Sequence, residues 1–290
     1  MNITSIIVIF NHNTLILNKL LQSLNIQVSA VVICNNNETT LSKKDFVRLK
    51  IPLTILNFGE NIGIASAQNR GIICALKSST DAIITFDQDS YISSDFVMKI
   101  TASYNYLIDN SFSVGLIGPL DVDPKDNIPR KPLLPNPYIN KTLIRGTSST
   151  LSSGSFIPRS SFEKVGFFLD ELFIDSVDIE FCWRLKKHNL RVFIDDSILM
   201  PHHLGSQTSS LLGLRLIISS KLRYYYQFRN VIYLLLYKSP PFYWSLNMLL
   251  KLFIKLFLYP TFVIKDNKVF GLMIKGIYHG IIKKLGKFSV

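Results

Sequence analysis

Two aspartates separated by one residue, Asp87-Gln88-Asp89, stand directly after the apolar run Ala82–Phe86. Paired carboxylates at a strand end can grip a divalent cation, and that cation can neutralise a diphosphate. Any single Asp-x-Asp can equally be a solvated turn, and a second copy, Asp121-Val122-Asp123, follows Gly118-Pro119. The buried strand leading into Asp87 favours the first copy. A second acidic group, Asp175, Asp178 and Glu180, lies inside Phe173–Arg184 among Phe, Ile, Val and Trp. Apolar walls raise a carboxylate's proton affinity toward general-base duty. Acids in a first helical turn also complement the helix dipole, and both readings can hold together.

Two further stretches carry polar chemistry. Asn61-Ile62-Gly63-Ile64-Ala65-Ser66-Ala67-Gln68-Asn69-Arg70-Gly71 is rich in small residues. Glycine and alanine let a backbone approach a ligand or a neighbouring helix, and a helix start there would aim N–H groups at phosphates. The alternative is a turn at Gly63 followed by alanines that only pack. Gly-x-Gly-x-x-Gly and P-loop patterns are absent, which removes the usual dinucleotide and mononucleotide fingerprints. His202-His203-Leu204-Gly205 contains two adjacent histidines that point different ways, so at most one is a ligand candidate.

The elements that must position these groups are legible as an alternation. Ser5–Phe10, Ala30–Cys34, Leu53–Leu56, Ala82–Phe86 and Val114–Ile117 read as strands with continuous apolar character. That pattern marks strands covered on both faces, as in a parallel sheet with crossover helices. Helices are expected over 15–24, with Leu15, Leu17, Leu20, Leu21 and Leu24 as the stripe, and over 64–76, 95–107 and 177–188. Pro119–Pro137 reads as a loop and Arg191–Ile194 as a further strand. The polar clusters follow strand C-termini, where doubly wound sheets bind ligands. The fold class is therefore α/β, a Rossmann-like and mostly parallel sheet flanked by helices.

Charge separates the chain into two regions. Of 290 residues 48% are hydrophobic and 18% charged, which excludes disorder. Residues 1–205 hold 19 Lys/Arg against 19 Asp/Glu, whereas 206–290 hold 13 against Asp266 alone, so the formal +12 belongs to the last 85 residues. We expect a 1–205 globular domain and a helical, basic, amphipathic 206–290 region on an anionic membrane surface, with Lys251 and Lys255 snorkelling from one face; a helical cap with exposed lysines is the alternative. A clean spanning helix is not expected, because Lys251, Lys255 and Pro260 interrupt Pro240–Ile264, while a tilted or re-entrant one stays open. The N-terminus shows no secretory pattern. Cys34, Cys74 and Cys182 are too few and too widely spaced for a disulfide framework, and a reduced compartment is the simplest reading. Lysines interleaved with Leu, Phe and Ile argue against nucleic acid as the partner.

Taken in order, these segments resemble the family-2 inverting glycosyltransferases of GT-A fold, in their rhamnosyltransferase branch. The resemblance spans roughly residues 3–235. It rests on Ile7–Asn11, Asn61–Gly71, Phe86–Ser90, Ser153-Gly154-Ser155, Phe173–Arg184, His202–Gly205 and the tyrosine-rich Arg223–Asn230. It implies that Phe10 and Asn11 hold the nucleotide base, with Asn35 where relatives usually carry Asp. It implies that Asn61, Gly63, Gln68 (an arginine in many relatives), Asn69, Asp87 and Gly154 line the nucleotide-sugar site. Asp89 and His202 would hold a divalent cation, Mg²⁺ or Mn²⁺, and Asp178 would be the catalytic base. The implied reaction moves a sugar, L-rhamnose from dTDP-L-rhamnose, onto a lipid-linked O-antigen- or capsule-type intermediate. Its implied place is the cytoplasmic face of the bacterial inner membrane, peripherally bound. Another nucleotide sugar such as a UDP-hexose, or a catalytically silent glycan-binding relative, are the rival readings.

Overall fold

Continuous apolar runs that stop at polar clusters become the strands. The structure, a computed structural model, describes residues 1–123, 128–129, 136–201, 207–211, 214–264 and 266–289, with the side chains of 207–217 excepted. Eight strands form one sheet: β1 (Ile3–Ile9), β2 (Ala30–Asn35), β3 (Leu53–Asn57), β4 (Ala82–Asp87), β5 (Val114–Val122), β6 (Ile144–Gly146), β7 (Phe156–Pro158) and β8 (Arg191–Pro201). Their order is β3-β2-β1-β4-β7-β5-β8-β6. The first four neighbours are parallel, as are β5 and β8, while β7 and β6 run antiparallel to theirs. The sheet is thus mostly parallel, as its apolar runs predicted. Two differences are physical. β7 is three residues long, below the length at which hydrophobic periodicity is readable. β5 also continues through Pro119 to Val122, so Asp121 sits on a strand and not in the expected loop.

Helices α1 (Thr14–Leu24), α2 (Ile64–Leu76) and α3 (Phe96–Asp109) flank this sheet. In α1 the side chain of Asn13 accepts from the N–H groups of Leu15 and Ile16, which fixes the first turn. Leu17, Leu20, Leu21 and Leu24 are buried at the i, i+3, i+4, i+7 spacing, whereas Leu15, counted in the stripe from sequence, is exposed. The core joins them to Ile7, Ile9, Ile33, Ile84, Phe86 and Phe156. The small residues of α2 prove to be packing residues. A Cβ on Gly71 would come within 2.6 Å of Cys34 Sγ and 2.8 Å of Ile6 Cγ2, so only glycine lets α2 lie this close to β1 and β2.

The chain divides into two compact units, Met1–Phe168 with Phe181–His202, and Leu169–Glu180 with His203–Val290. The short segment Leu169–Glu180 therefore groups with the C-terminal unit, and α5 (Val177–Lys187), which follows α4 (Arg159–Val165), crosses the division. The second unit holds an antiparallel pair, β9 (Gln207–Leu211) and β10 (Leu214–Ile218), where the sequence led us to expect helix. It then continues as α6 (Lys221–Tyr237), α7 (Phe242–Leu258), a π-helical turn Tyr259–Val263 and α8 (Asn267–Ile281). Tyr224, Phe228, Leu252, Tyr259, Val269 and Met273 form its apolar core.

Candidate active site

Three strand ends of the first unit are tied together by side-chain amides. Gln88, the middle residue of the Asp-x-Asp, accepts from the Phe10 N–H (2.7 Å) and donates to the Phe10 carbonyl (3.0 Å). It thereby closes the ends of β1 and β4 just past their ladder. Asn11 adopts φ 49°, and its N–H donates to Asn37 Oδ1. Asn37 is held in turn by Asn35, whose Oδ1 accepts from the Asn37 Nδ2 (2.8 Å) and N–H. Asn35 Nδ2 donates to the Thr39 carbonyl and to Asn57 Oδ1. Asn36, also buried, bonds Asn61 and the Ile62 N–H, and Asn61 accepts from the Gly63 N–H at the entrance to α2. A run of three asparagines after a buried strand was the signal, and sequence reasoning used only its first member.

Asp87 and Asp89 lie on one tight turn, closed by the Ser90 N–H to the Asp87 carbonyl. The turn is braced from the side by Ser152–Ser155. Ser153 Oγ accepts from the Asp87 N–H (3.2 Å) and pairs with Ser90 Oγ (2.7 Å). Gly154 donates its N–H to the Thr85 carbonyl, and Gln68 Nε2 donates to Ser152 Oγ. Gly154 has φ +77°, and a Cβ there would meet Met200, Pro119 and Phe96 at 2.6–3.0 Å. Gly154→Ala is expected to lower the melting temperature, the positive φ alone costing about 1–3 kcal/mol, and to weaken donor binding with it. A variant as stable as the parent would show that this close approach is not needed.

Several of the expected contact residues are engaged inside the chain. Asn35 is wholly buried, and its amide nitrogen and oxygen bond Asn57 and Asn37. Asn69 exchanges two hydrogen bonds with the backbone of Phe168 (2.9 and 3.0 Å), which commits its amide to that loop. Phe10, Asn11 and Asp89 are exposed, and Asp87 is half-buried. His202 lies outside the described residues. Among the described residues no three His, Cys, Asp or Glu side chains form a metal-binding group.

Asp178 is built by different elements, in the second unit. It is the second residue of α5, half-buried, with its Oδ1 accepting the Ile179 N–H. The segment leading into it turns through three non-glycine residues with positive φ: Phe173 (63°), Asp175 (66°) and Ser176 (64°). Such backbone persists only where its surroundings over-determine it. Here Arg223 forms a two-pronged ion pair with Asp175 (2.8–3.1 Å), and the Phe173 ring stacks on Tyr226 at 4.9 Å. The buried Arg229 has its guanidinium over the Tyr226 ring (4.9 Å) and the Tyr225 ring (5.6 Å), and desolvation lowers its proton affinity.

Comparison with known proteins places this architecture. No family model matches the chain. It is 34% identical over 242 residues to the "dTDP-rhamnosyl transferase RfbF" of Shigella flexneri, spanning 81% of this chain and 80% of that protein. The S. aureus TarS 1–349 crystal structure superposes with a TM-score of 0.56 at 12% identity, covering 98% of this chain and 82% of that one. A GalNAc-T7 structure with UDP, GalNAc and Mn²⁺ gives 0.51 at 14%, covering 76% and 45%. The fold is that of the GT-A glycosyltransferases. The chain belongs to the rhamnosyltransferase branch of the family-2 inverting glycosyltransferases.

Proposed function

We propose that the protein transfers L-rhamnose from dTDP-L-rhamnose to a lipid-linked glycan acceptor, with inversion at the anomeric carbon. The identity to a dTDP-rhamnosyl transferase over four fifths of both chains is the observation that carries this reading. In it, Asp178 takes the proton of the acceptor hydroxyl as that oxygen attacks the anomeric carbon from the side opposite the nucleotide. The bond to dTDP breaks in the same displacement, so no second carboxylate acts as a covalent nucleophile. Phe10, Asn11 and Asp87 are the groups offered to the nucleoside, on strand ends locked by Gln88 and Asn37.

The carboxylate oxygens of the Asp87–Asp89 turn suit a hard cation, which Asp89 would hold while Asp87 is offered to the nucleoside. A Mg²⁺ or Mn²⁺ ion held there would supply electrostatic stabilisation for a leaving diphosphate. Asp89→Ala is expected to weaken metal-dependent donor binding far more than Asp121→Ala, whose carboxylate sits on β5. Equal effects in titration calorimetry would remove the basis for choosing between the two Asp-x-Asp copies.

Donor identity is tested by thermal shift and transfer assays against a panel of sugar nucleotides with Mg²⁺. dTDP-L-rhamnose at 100 times its Kd is expected to add about 2.7 kcal/mol of stability. A UDP-hexose that stabilises and turns over better would replace it as the donor.

The same reading places the enzyme peripherally on the cytoplasmic face of the bacterial inner membrane, where nucleotide sugars and a lipid-anchored acceptor meet. Phe242–Val263 is 22 residues long, and an 18-residue stretch of it has mean hydropathy 1.5 and is only 17% buried, long and apolar enough to cross a membrane. Tyr243, Leu246, Leu250, Phe253 and Phe257 form an exposed stripe along α7. The expected snorkelling pair, however, divides. Lys251 is exposed, whereas Lys255 turns inward to donate to Gln227 Oε1 (2.8 Å) near the faces of Tyr224 and Tyr259. With its second lysine inside, this face of α7 is more apolar than the sequence suggested and suits shallow burial among acyl chains.

A further inference from the structure

We propose that Arg229 and Asn230 are positioning residues that shape the backbone ahead of α5 and so aim Asp178 at the acceptor. This rests on the assignment of Asp178 as base. One amide does most of the shaping: Asn230 Nδ2 donates to the carbonyls of Leu172 (3.0 Å), Ile174 (2.6 Å) and Asp175 (2.9 Å). Asn230 is itself fixed, because its Oδ1 accepts from Arg229 Nε (2.9 Å) and Nη2 (2.8 Å). Arg229 extends the grip by donating from Nη2 to the Leu172 carbonyl (2.8 Å) and the Glu171 carbonyl (3.2 Å), and from Nη1 to Gly286. Both side chains are completely buried.

The carbonyls gripped are those around the positive-φ residues Phe173, Asp175 and Ser176. This grip adds to the Arg223–Asp175 ion pair and the Phe173–Tyr226 stack in holding a turn that L side chains rarely adopt, none of the three residues being glycine. The chemistry also selects asparagine. A neighbouring guanidinium needs an acceptor and three carbonyls need a donor, and a carboxamide offers both at one position. A mere brace between helices would not have to face three consecutive-turn carbonyls. The turn ends at Ser176, two residues before Asp178, so any change in it is transmitted directly to where that carboxylate points. A displacement of about 1 Å in a reacting group can cost about 10²-fold in rate.

The test uses the full chain and reads kcat, donor KM, donor Kd and melting temperature for Asn230→Ala, Asn230→Asp and Arg223→Gln, each alone and with Asp178→Asn. Asn230→Asp keeps the shape but sets an acceptor against three carbonyls. Folded Asn230→Ala is expected to lose at least about 10-fold in kcat with donor Kd within about twofold, and Asn230→Asp more. Added to Asp178→Asn, neither should cause further loss, because the aim of an absent base no longer matters. If Asn230 variants do not fold, Arg223→Gln carries the test, its side chain being 44% exposed. It should show the same kcat-only pattern, with part of the loss recovered in Arg223→Lys. Wild-type kcat in a folded variant, a parallel loss of donor affinity, or multiplying losses with Asp178→Asn each overturn the proposal. Should Asp178→Asn itself keep full turnover, the base assignment fails first and this inference with it.

Discussion

Asp178→Asn is expected to abolish sugar transfer while leaving donor affinity and melting temperature near those of the parent. The amide keeps the size and the Oδ1 that accepts the Ile179 N–H, so the start of α5 is preserved. What it loses is the capacity to take a proton, and removal of a general base typically costs ~10²–10⁴ in rate. In the proposed reading donor binding belongs to the strand ends of the first unit, where the hydrogen bonds of Asn35, Asn37 and Gln88 lie away from the substituted residue in sequence. The measurement is single-turnover transfer alongside donor titration. Near-normal turnover would show that the proton leaves through another group. Glu180 is the control: it is buried in the same turn of α5, and Glu180→Gln should leave more activity than Asp178→Asn.

The second large effect concerns the membrane. Full-length protein should float with anionic vesicles at low salt and less well at high salt. Basic residues near such a surface contribute about 1 kcal/mol each and are screened by ions. Replacing Leu246, Leu250, Phe253 and Phe257 together with glutamine should lower vesicle partitioning at least about 10²-fold, because burial of each apolar side chain contributes up to about 1.5–3 kcal/mol. These four are exposed on α7, so the fold should tolerate the changes. A 1–205 truncation is the wrong probe, since it would strip Arg223, Arg229 and Asn230 from the segment that precedes Asp178. A quadruple variant that floats like the parent would remove α7 as the attachment surface. Absence of flotation by the parent at low salt would remove the membrane from the reading altogether.

The sequence by itself determined the α/β class, the places where strands stop, the Asp-x-Asp turn and the acidic start of α5. It could do so because continuous apolar runs, helical spacing and polar terminators are local properties, each readable within about a dozen residues. It put Asp121 in a loop, whereas the structure places Asp121-Val122-Asp123 at the end of β5, so both Asp-x-Asp copies stand at strand ends. Tertiary structure alone decided what each polar group is occupied with. Asn35 and Asn69 looked like ligand contacts from their places in the chain, yet their amides are consumed by Asn37, Asn57 and Phe168. Lys255 shares a helical face with Lys251 in sequence but finds Gln227 across the packing of α6 and α7. The segment before Asp178 owes its shape to Asn230, 55–58 residues further along the chain. A hydrogen-bonding group has one set of donors and acceptors, and which distant partner uses them depends on how the elements pack, a quantity that no local pattern contains.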